Sequence, residues 1–365
     1  MTSGGAGNVA PASAGPGRAA TTRILVVGPS WIGDAVLAQP LFTLLHRRHP
    51  GLALDVIAPP WTVPVLRRMP EVHRALAHDF GHGDLKLGGR WRLGRELARE
   101  RYEQAIVLPN TYKSALVPAF AGIRRRTGYV GETRVLVLND RRTLDPLALP
   151  EIAQRYAALA LEPGEALPPL PLPHLDRDAE RTQATLAKLG LTPGDDVVAF
   201  CPGAEYGPAK RWPAPYFAEL ARKLVADGLR VWLIGSAKDA PVGAEIATLA
   251  GGACVDLCGK STLDDAVDLL GAARLVVTND TGLMHVAAAL GTPLVALYGS
   301  STPAFTPPMS PHATIAKLDM PCSPCFERTC PLGHFDCMNR LKPGEIHDRV
   351  VAHLAATAGV RTATA

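Results

Sequence analysis

Aromatic side chains make up only 5% of this 365-residue chain, and no run of cations is interleaved with rings. That argues against a stacking groove for single-stranded nucleic acid. No apolar run reaches the roughly 18 to 20 residues that a membrane span needs. The first 22 residues, MTSGGAGNVAPASAGPGRAATT, are small and rich in Gly and Pro, without the apolar block of a secretory signal. They are expected to form a disordered tail. Seven cysteines, an odd number, with no export signal speak for a reducing compartment and against a disulfide framework. Neither a P-loop nor a His-Glu-x-x-His pair is found.

What is present suits a sizeable core: 47% hydrophobic and 20% charged residues, in a length that favours two domains. Charge is unevenly spread. Residues 23–150 hold 19 Lys and Arg against 11 Asp and Glu, a net +8, so the +4 of the whole chain leaves −4 elsewhere. Arg67-Arg68, Arg90/Arg92/Arg95 and Arg124-Arg125-Arg126 carry much of this surplus, which could meet a polyanion or an anionic membrane, or simply be solvated helix faces.

Strands alternate with helices. Arg23–Gly28, Leu54–Ala58 and Gln104–Leu108 read as short buried strands, and a helical run from Asp34 to Leu45 carries a Pro40 that should kink or shorten it. Residues 161–178, LEPGEALPPLPLPHLDRD, read as an extended linker. Strands then return at 197–201, 230–234, 275–279 and 294–298, with a helix opened by Pro213, another over 264–270, and a last one near 343–357. The fold class is α/β: two doubly wound Rossmann-like domains facing across a cleft, each holding ligands at the carboxyl edge of its sheet. We place the first domain at 23–160, the linker at 161–180 and the second domain at 181–357, whose last helix could pack back on the first.

Three turns at such edges carry the chemistry. In Gly28-Pro-Ser-Trp-Ile-Gly33-Asp34, Asp34 is either a general base facing the cleft or an N-terminal helix cap. In Pro202-Gly203-Ala-Glu205-Tyr206-Gly207-Pro-Ala-Lys210, the glycines would let backbone N–H groups near an oxyanion, and Lys210 would reach a phosphate oxygen. In Asp280-Thr281-Gly282, a helix starts where a strand stops, which favours phosphate. His285 lies one turn on and either faces the ligand or is a satisfied core histidine. Asp176-Arg177-Asp178 has the spacing of a metal-sugar-nucleotide grip but sits in the linker.

The phrases GPSWIGDAV, FAGIRRRTGY, CPGAEYGPAKRWP and VTNDTGLMHVAAALGTPLVALYG resemble the family 9 glycosyltransferases of the GT-B fold, the ADP-heptose:lipopolysaccharide heptosyltransferases, over residues 23 to 357. The resemblance implies an inverting enzyme that moves L-glycero-D-manno-heptose from ADP-heptose to the first heptose of the lipopolysaccharide inner core, heptosyl-Kdo2-lipid A. It implies cytoplasmic work at the inner face of the membrane, peripherally attached, on an ADP-sugar donor and an anionic lipid acceptor, with no nucleic acid.

It further implies Asp34 and Lys210 as catalytic, with Gly203, Glu205, Lys210, Gly235, Ser236, Asp280, Thr281, Gly282 and His285 around the donor. Lys238-Asp239 stands where the related heptosyltransferase I has a glutamate for donor ribose. Arg124 to Arg126 are candidates for acceptor contact. Another GT-B transferase, such as heptosyltransferase I or one with a different nucleotide-sugar donor, and a non-catalytic nucleotide-sugar binding module are the alternatives. No cofactor and no catalytic metal are expected. The cluster Cys322-Ser-Pro-Cys325…Cys330…Cys337 leaves structural zinc, free thiols and redox-active thiols open.

Overall fold

The expected apolar segments become strands buried on both faces, as parallel sheets require. In a computed structural model that describes residues 22–81, 83–194 and 196–356, two six-stranded parallel sheets form. The first contains β1 (Arg23–Val27), β2 (Ala53–Ala58), β3 (Arg74–Ala77), β4 (Gln104–Val107), β5 (Arg125–Tyr129) and β6 (Asp140–Arg142), in the order β3-β2-β1-β4-β5-β6. The second contains β7 (Val197–Cys201), β8 (Arg230–Leu233), β9 (Val255–Asp256), β10 (Leu275–Asn279), β11 (Leu294–Tyr298) and β12 (Ala313–Lys317), in the order β12-β11-β10-β7-β8-β9. Each sheet reverses direction between its first and fourth strands, the crevice where doubly wound folds hold ligands. The crevices open beside β1 and β7, so the loops that leave these strands are the ones a ligand meets.

Pro40 acts as expected. It ends the helix Ile32–Leu37 and opens a second one, Gln39–Arg48, because it can sit only in a first turn. The proline-rich stretch is extended but not loose. Gln39 donates to the carbonyl of His174 at 2.6 Å and accepts from its amide at 2.9 Å. Leu175, fully buried, donates its amide to Ala289 at 3.0 Å. Its tripeptide Asp176-Arg177-Asp178 is structural: the Asp176 amide donates to the Arg68 carbonyl and its carbonyl accepts from the Arg68 guanidinium, Arg177 donates to Leu290, and Asp178 caps the helix Ala179–Lys188. That helix begins inside the expected linker. The last helix, Pro343–Ala356, does not return to the front sheet. It packs on the rear one, where His347 meets Asp227 at 2.6 Å and Arg349 donates to Ile315 at 3.2 Å.

The expected tail lies outside the described residues except for Thr22. No helix among the described residues is long and apolar enough to cross a membrane.

The two lobes are tied by a buried ion pair. Arg68, in front, donates to Asp268, in the rear helix Leu263–Ala272, at 2.6 Å. Asp268 also accepts from Thr185 at 2.9 Å and Arg181 at 3.2 Å. Asp268→Ala would strand the Arg68 guanidinium in a dry contact, and we expect it to cost about 3–5 kcal/mol in urea unfolding. A loss within error of zero would show that the pair does not tie the lobes.

Candidate active site

The loop after β1 brings Asp34 to the rear lobe. Trp31 occupies the N-cap position of the helix Ile32–Leu37 and makes no side-chain cap bond, so Asp34, in the first turn, is not the cap. Glycine explains how close the lobes come. A Cβ on Gly33 would stand 2.7 Å from the His285 ring, and one on Gly282 would stand 2.9 Å from the Cβ of Ile32 and 3.3 Å from the amide of Gly33. Backbone therefore meets backbone where the helices Ile32–Leu37 and Gly282–Ala289 touch.

This approach places Asp34 beside Lys210 and Asp280. Burial pushes the Asp34 carboxyl up to about 6; Lys210 opposes the rise and Asp280 adds to it. The Tyr156 hydroxyl, from the helix Ile152–Ala157, is turned toward the carboxylate and also opposes the rise. A carboxylate with a pKa near 6 in a cleft is a candidate general base.

The rear lobe builds the opposite wall. Lys210 Nζ donates to Asp280 Oδ2 at 2.5 Å and stands 5.2 Å from the Tyr206 ring centre. Ser301 donates to the same carboxylate oxygen at 2.5 Å. Asp280 thus faces inward, and its bearing on an anionic ligand is to hold the Lys210 ammonium in place, with Ser301 satisfying the same oxygen. Asn279 braces both loops: its amide donates to the carbonyl of Pro202 at 2.7 Å, and its oxygen accepts the Trp212 amide at 3.1 Å. Beyond Asp280, Thr281 and Gly282 open the helix Gly282–Ala289, whose positive end points into the groove. Thr281 Oγ1, Ser300 Oγ and His285 Nδ1 are buried without a protein partner. Such groups are costly to leave unpaired and commonly mark a site that a ligand completes. His285 is itself buried, which drives its pKa down to about 4 and keeps the ring neutral at physiological pH.

The remaining expected residues are placed differently. A Cβ on Gly203 would stand 2.3 Å from the Asp239 carboxylate, and one on Gly235 would stand 2.8 Å from the Cβ of Asp239. These glycines make room for Asp239, which also accepts from the amide and hydroxyl of Ser236 at 2.9 and 2.8 Å. Glu205 is exposed and pairs with Lys238.

The arginine triplet is a correction. Arg125 is level with Gln104 at the start of β4, on the amino edge of the sheet, opposite the edge that carries Asp34. It pairs with Glu162 at 2.8 Å and Asp140 at 2.9 Å, and Arg126 donates to the carbonyls of Ile123 and Val137. Arg125 and Arg126 are structural, and exposed Arg124 precedes them on the same amino edge, away from the edge that carries Asp34. Likewise, Arg68 and Arg90 are buried and spent on Asp268 and on backbone carbonyls.

Tyr156, Asn279 and Ser301 were not expected. Tyr156 belongs to no motif and reaches Asp34 only through the fold. Asn279 lies within the quoted VTND phrase, where an amide at the end of a buried strand was the available signal.

Among the described residues, no group of three or more His, Cys, Asp or Glu side chains stands ready to hold a metal ion. The model of glycosyltransferase family 9 (heptosyltransferase) matches residues 90–336. Lipopolysaccharide heptosyltransferase 2 of Escherichia coli strain K12 is 49% identical over 306 residues, covering 81% of this chain and 88% of that protein. Lipooligosaccharide heptosyltransferase 2 of Haemophilus influenzae is 46% identical with the same coverage. The solved structure of the E. coli ADP-heptose lipopolysaccharide heptosyltransferase II superposes with a TM-score of 0.84 at 42% identity, over 93% of this chain and all of that one.

The Lys210 charge lowers the Asp34 pKa from across the groove, so its removal has a defined sign. In Lys210→Met the Asp34 midpoint, followed by carboxyl 13C shifts, should rise above about 6. An unchanged midpoint would mean that the two groups do not face each other in solution.

Proposed function

The chain belongs to glycosyltransferase family 9, the heptosyltransferases, with the GT-B fold, and from that premise we propose that it transfers L-glycero-D-manno-heptose, with inversion, from ADP-heptose to the first heptose of heptosyl-Kdo2-lipid A. We take residues 23–160 as the acceptor lobe and 181–356 as the donor lobe. One observation carries the reading: Asp34 of the first lobe faces Lys210, Asp280 and the start of the helix Gly282–Ala289 across a single groove.

Inverting transfer is one displacement at the anomeric carbon. The acceptor hydroxyl loses a proton as its oxygen attacks, and the departing diphosphate gains charge. Asp34 is the group to receive that proton, being largely ionised at neutral pH yet more basic than an exposed aspartate. Lys210 and the Thr281–Gly282 amides are the groups to stabilise the leaving ADP; such a preorganised donor is commonly worth about a hundredfold or more in turnover. Thr281 Oγ1 and neutral His285 are further partners for donor oxygens. In this reading Gly203, Glu205, Gly235 and Ser236 border the nucleoside.

Asp34→Ala should abolish transfer while retaining ADP-heptose binding, and the wild-type kcat/KM should climb with pH through a midpoint near 6. Turnover by Asp34→Ala near the wild-type level would remove the assignment. Saturable donor binding with no ADP release in the presence of a true inner-core acceptor would instead mark a silent binding module.

The enzyme is further proposed to work in the cytoplasm, docked on an anionic membrane by the front lobe. Its exposed large apolar side chains gather on segments leaving the carboxyl ends of its strands: Trp31, Trp61, Leu85, Leu87, Trp91 and Leu136. Exposed Arg92 and Arg95 lie among them. An apolar rim with cations beside a cleft suits a lipid-borne acceptor. Replacing Leu87 and Leu136 together with Ser should weaken binding to phosphatidylglycerol vesicles by at least about tenfold without changing affinity for free ADP. Equal vesicle binding would show that this rim is not the contact.

A further inference from the structure

Residues 318–342, between β12 and the last helix, belong to no sheet and hold four of the seven cysteines. The fold closes this segment on itself. Cys322, Cys325, Cys330 and Cys337 line one cavity of about 20 Å³, with His334 and Ser300 at its margin. None of the four is in a disulfide. A space of that size holds a single water or ion, and a buried water needs two to four polar partners that a wall of sulfur supplies poorly. Backbone amides of Leu332, Gly333, His334 and Phe335 are turned toward the Cys330 sulfur. As they stand, the sulfurs surround the cavity without closing on a common point.

The segment also has a load to carry, because it forms the back of the loop that presents Lys210. Ala209 donates its amide to the Arg328 carbonyl at 3.0 Å, and that same carbonyl would lie 2.4 Å from any Cβ on Gly207. The Tyr206 hydroxyl donates to Phe326 at 2.6 Å, and Phe326 donates its amide to Ser300 at 2.7 Å. Arg328 and Lys210 flank the Tyr206 ring at 5.1 and 5.2 Å from its centre. Apart from the short helix Asp336–Asn339, the segment is irregular. Its rigidity therefore depends on cross-links more than on secondary structure.

We propose that Cys322, Cys325, Cys330 and Cys337 bind one tetrahedral metal ion, zinc by its all-thiolate donor set, and that this ion braces the loop behind Lys210. Each thiol gives up its proton as it ligates, and the sulfurs draw in to about 2.3 Å from the ion. The ion lies outside the groove, touches neither substrate and takes no part in the displacement. Cys201, Cys254 and Cys258 lie elsewhere and are not ligands.

The test uses the full-length chain purified under reducing conditions from cultures supplemented with zinc or with iron. Metal analysis should find one zinc per chain, and Cys330→Ser and Cys337→Ser should each lose it. The stripped wild type should take up cobalt(II) with the charge-transfer and tetrahedral ligand-field bands of a cobalt tetrathiolate. Stripping should expose four further thiols to Ellman's reagent and weaken ADP binding by at least about tenfold, with restoration on adding zinc.

No metal as isolated and no cobalt bands in the reduced apoprotein would overturn the site, even if the serine variants fail to fold. A disulfide within the cluster would overturn it equally, and iron in place of zinc would overturn the choice of ion. Unchanged ADP affinity after stripping would overturn the bracing role. The brace rests on the donor-binding reading of Lys210, but metal content and thiol counts do not, so failure of either is visible separately.

Discussion

The site depends on two glycines meeting across the lobes. With Gly33 against the His285 ring and Gly282 against Ile32 and the Gly33 amide, the first helix of the front lobe rests directly on the helix that opens the rear groove. A methyl group at either position would hold these surfaces apart. This approach sets Asp34, a half-buried front-lobe carboxylate, within the field of Lys210 and Asp280. Burial raises the carboxyl pKa, and the rear lobe acts on it in both directions, Lys210 lowering it and Asp280 raising it.

The rear wall is ordered from beneath. Asn279 ties the loops after β7 and β10 together, and Asp280 is occupied by Lys210 and Ser301. A carboxylate in a diphosphate site would repel its ligand if it faced outward. Turned inward, it fixes a lysine that keeps two of its three N–H groups available, while Ser301 spends its one proton on the carboxylate. The buried, unpartnered oxygens of Thr281 and Ser300 and the ring nitrogen of His285 destabilise the free protein. Sites of this kind commonly trade stability for readiness to bind.

Much of this architecture was legible in the sequence. Central strands of a parallel sheet are buried on both faces, so β1, β7, β10 and β11 read as continuous apolar runs, and Pro40 punctuated a helix as its fixed φ demands. The edge strands β3 and β6, and β5 beside the edge, carry Arg or Asp and did not stand out. In the candidate site, the motifs led to Asp34, Lys210 and Asp280–Gly282, because a turn at the end of a strand advertises itself locally. What stayed hidden was contact between distant segments. Tyr156 is turned toward Asp34 and Arg68 meets Asp268 only because the chain folds back on itself. The arginine triplet misled for the converse reason. Charge density is visible in sequence, but which edge of a sheet it occupies is not, and Arg125 proved to be on the amino edge.

The most direct measurement is a crystal structure of the full chain with ADP-heptose bound. The account requires the diphosphate to touch Lys210 and the Thr281–Gly282 amides, with the anomeric carbon facing Asp34 and space for one acceptor hydroxyl between them. A donor bound elsewhere, or one whose anomeric carbon is turned away from Asp34, would contradict it.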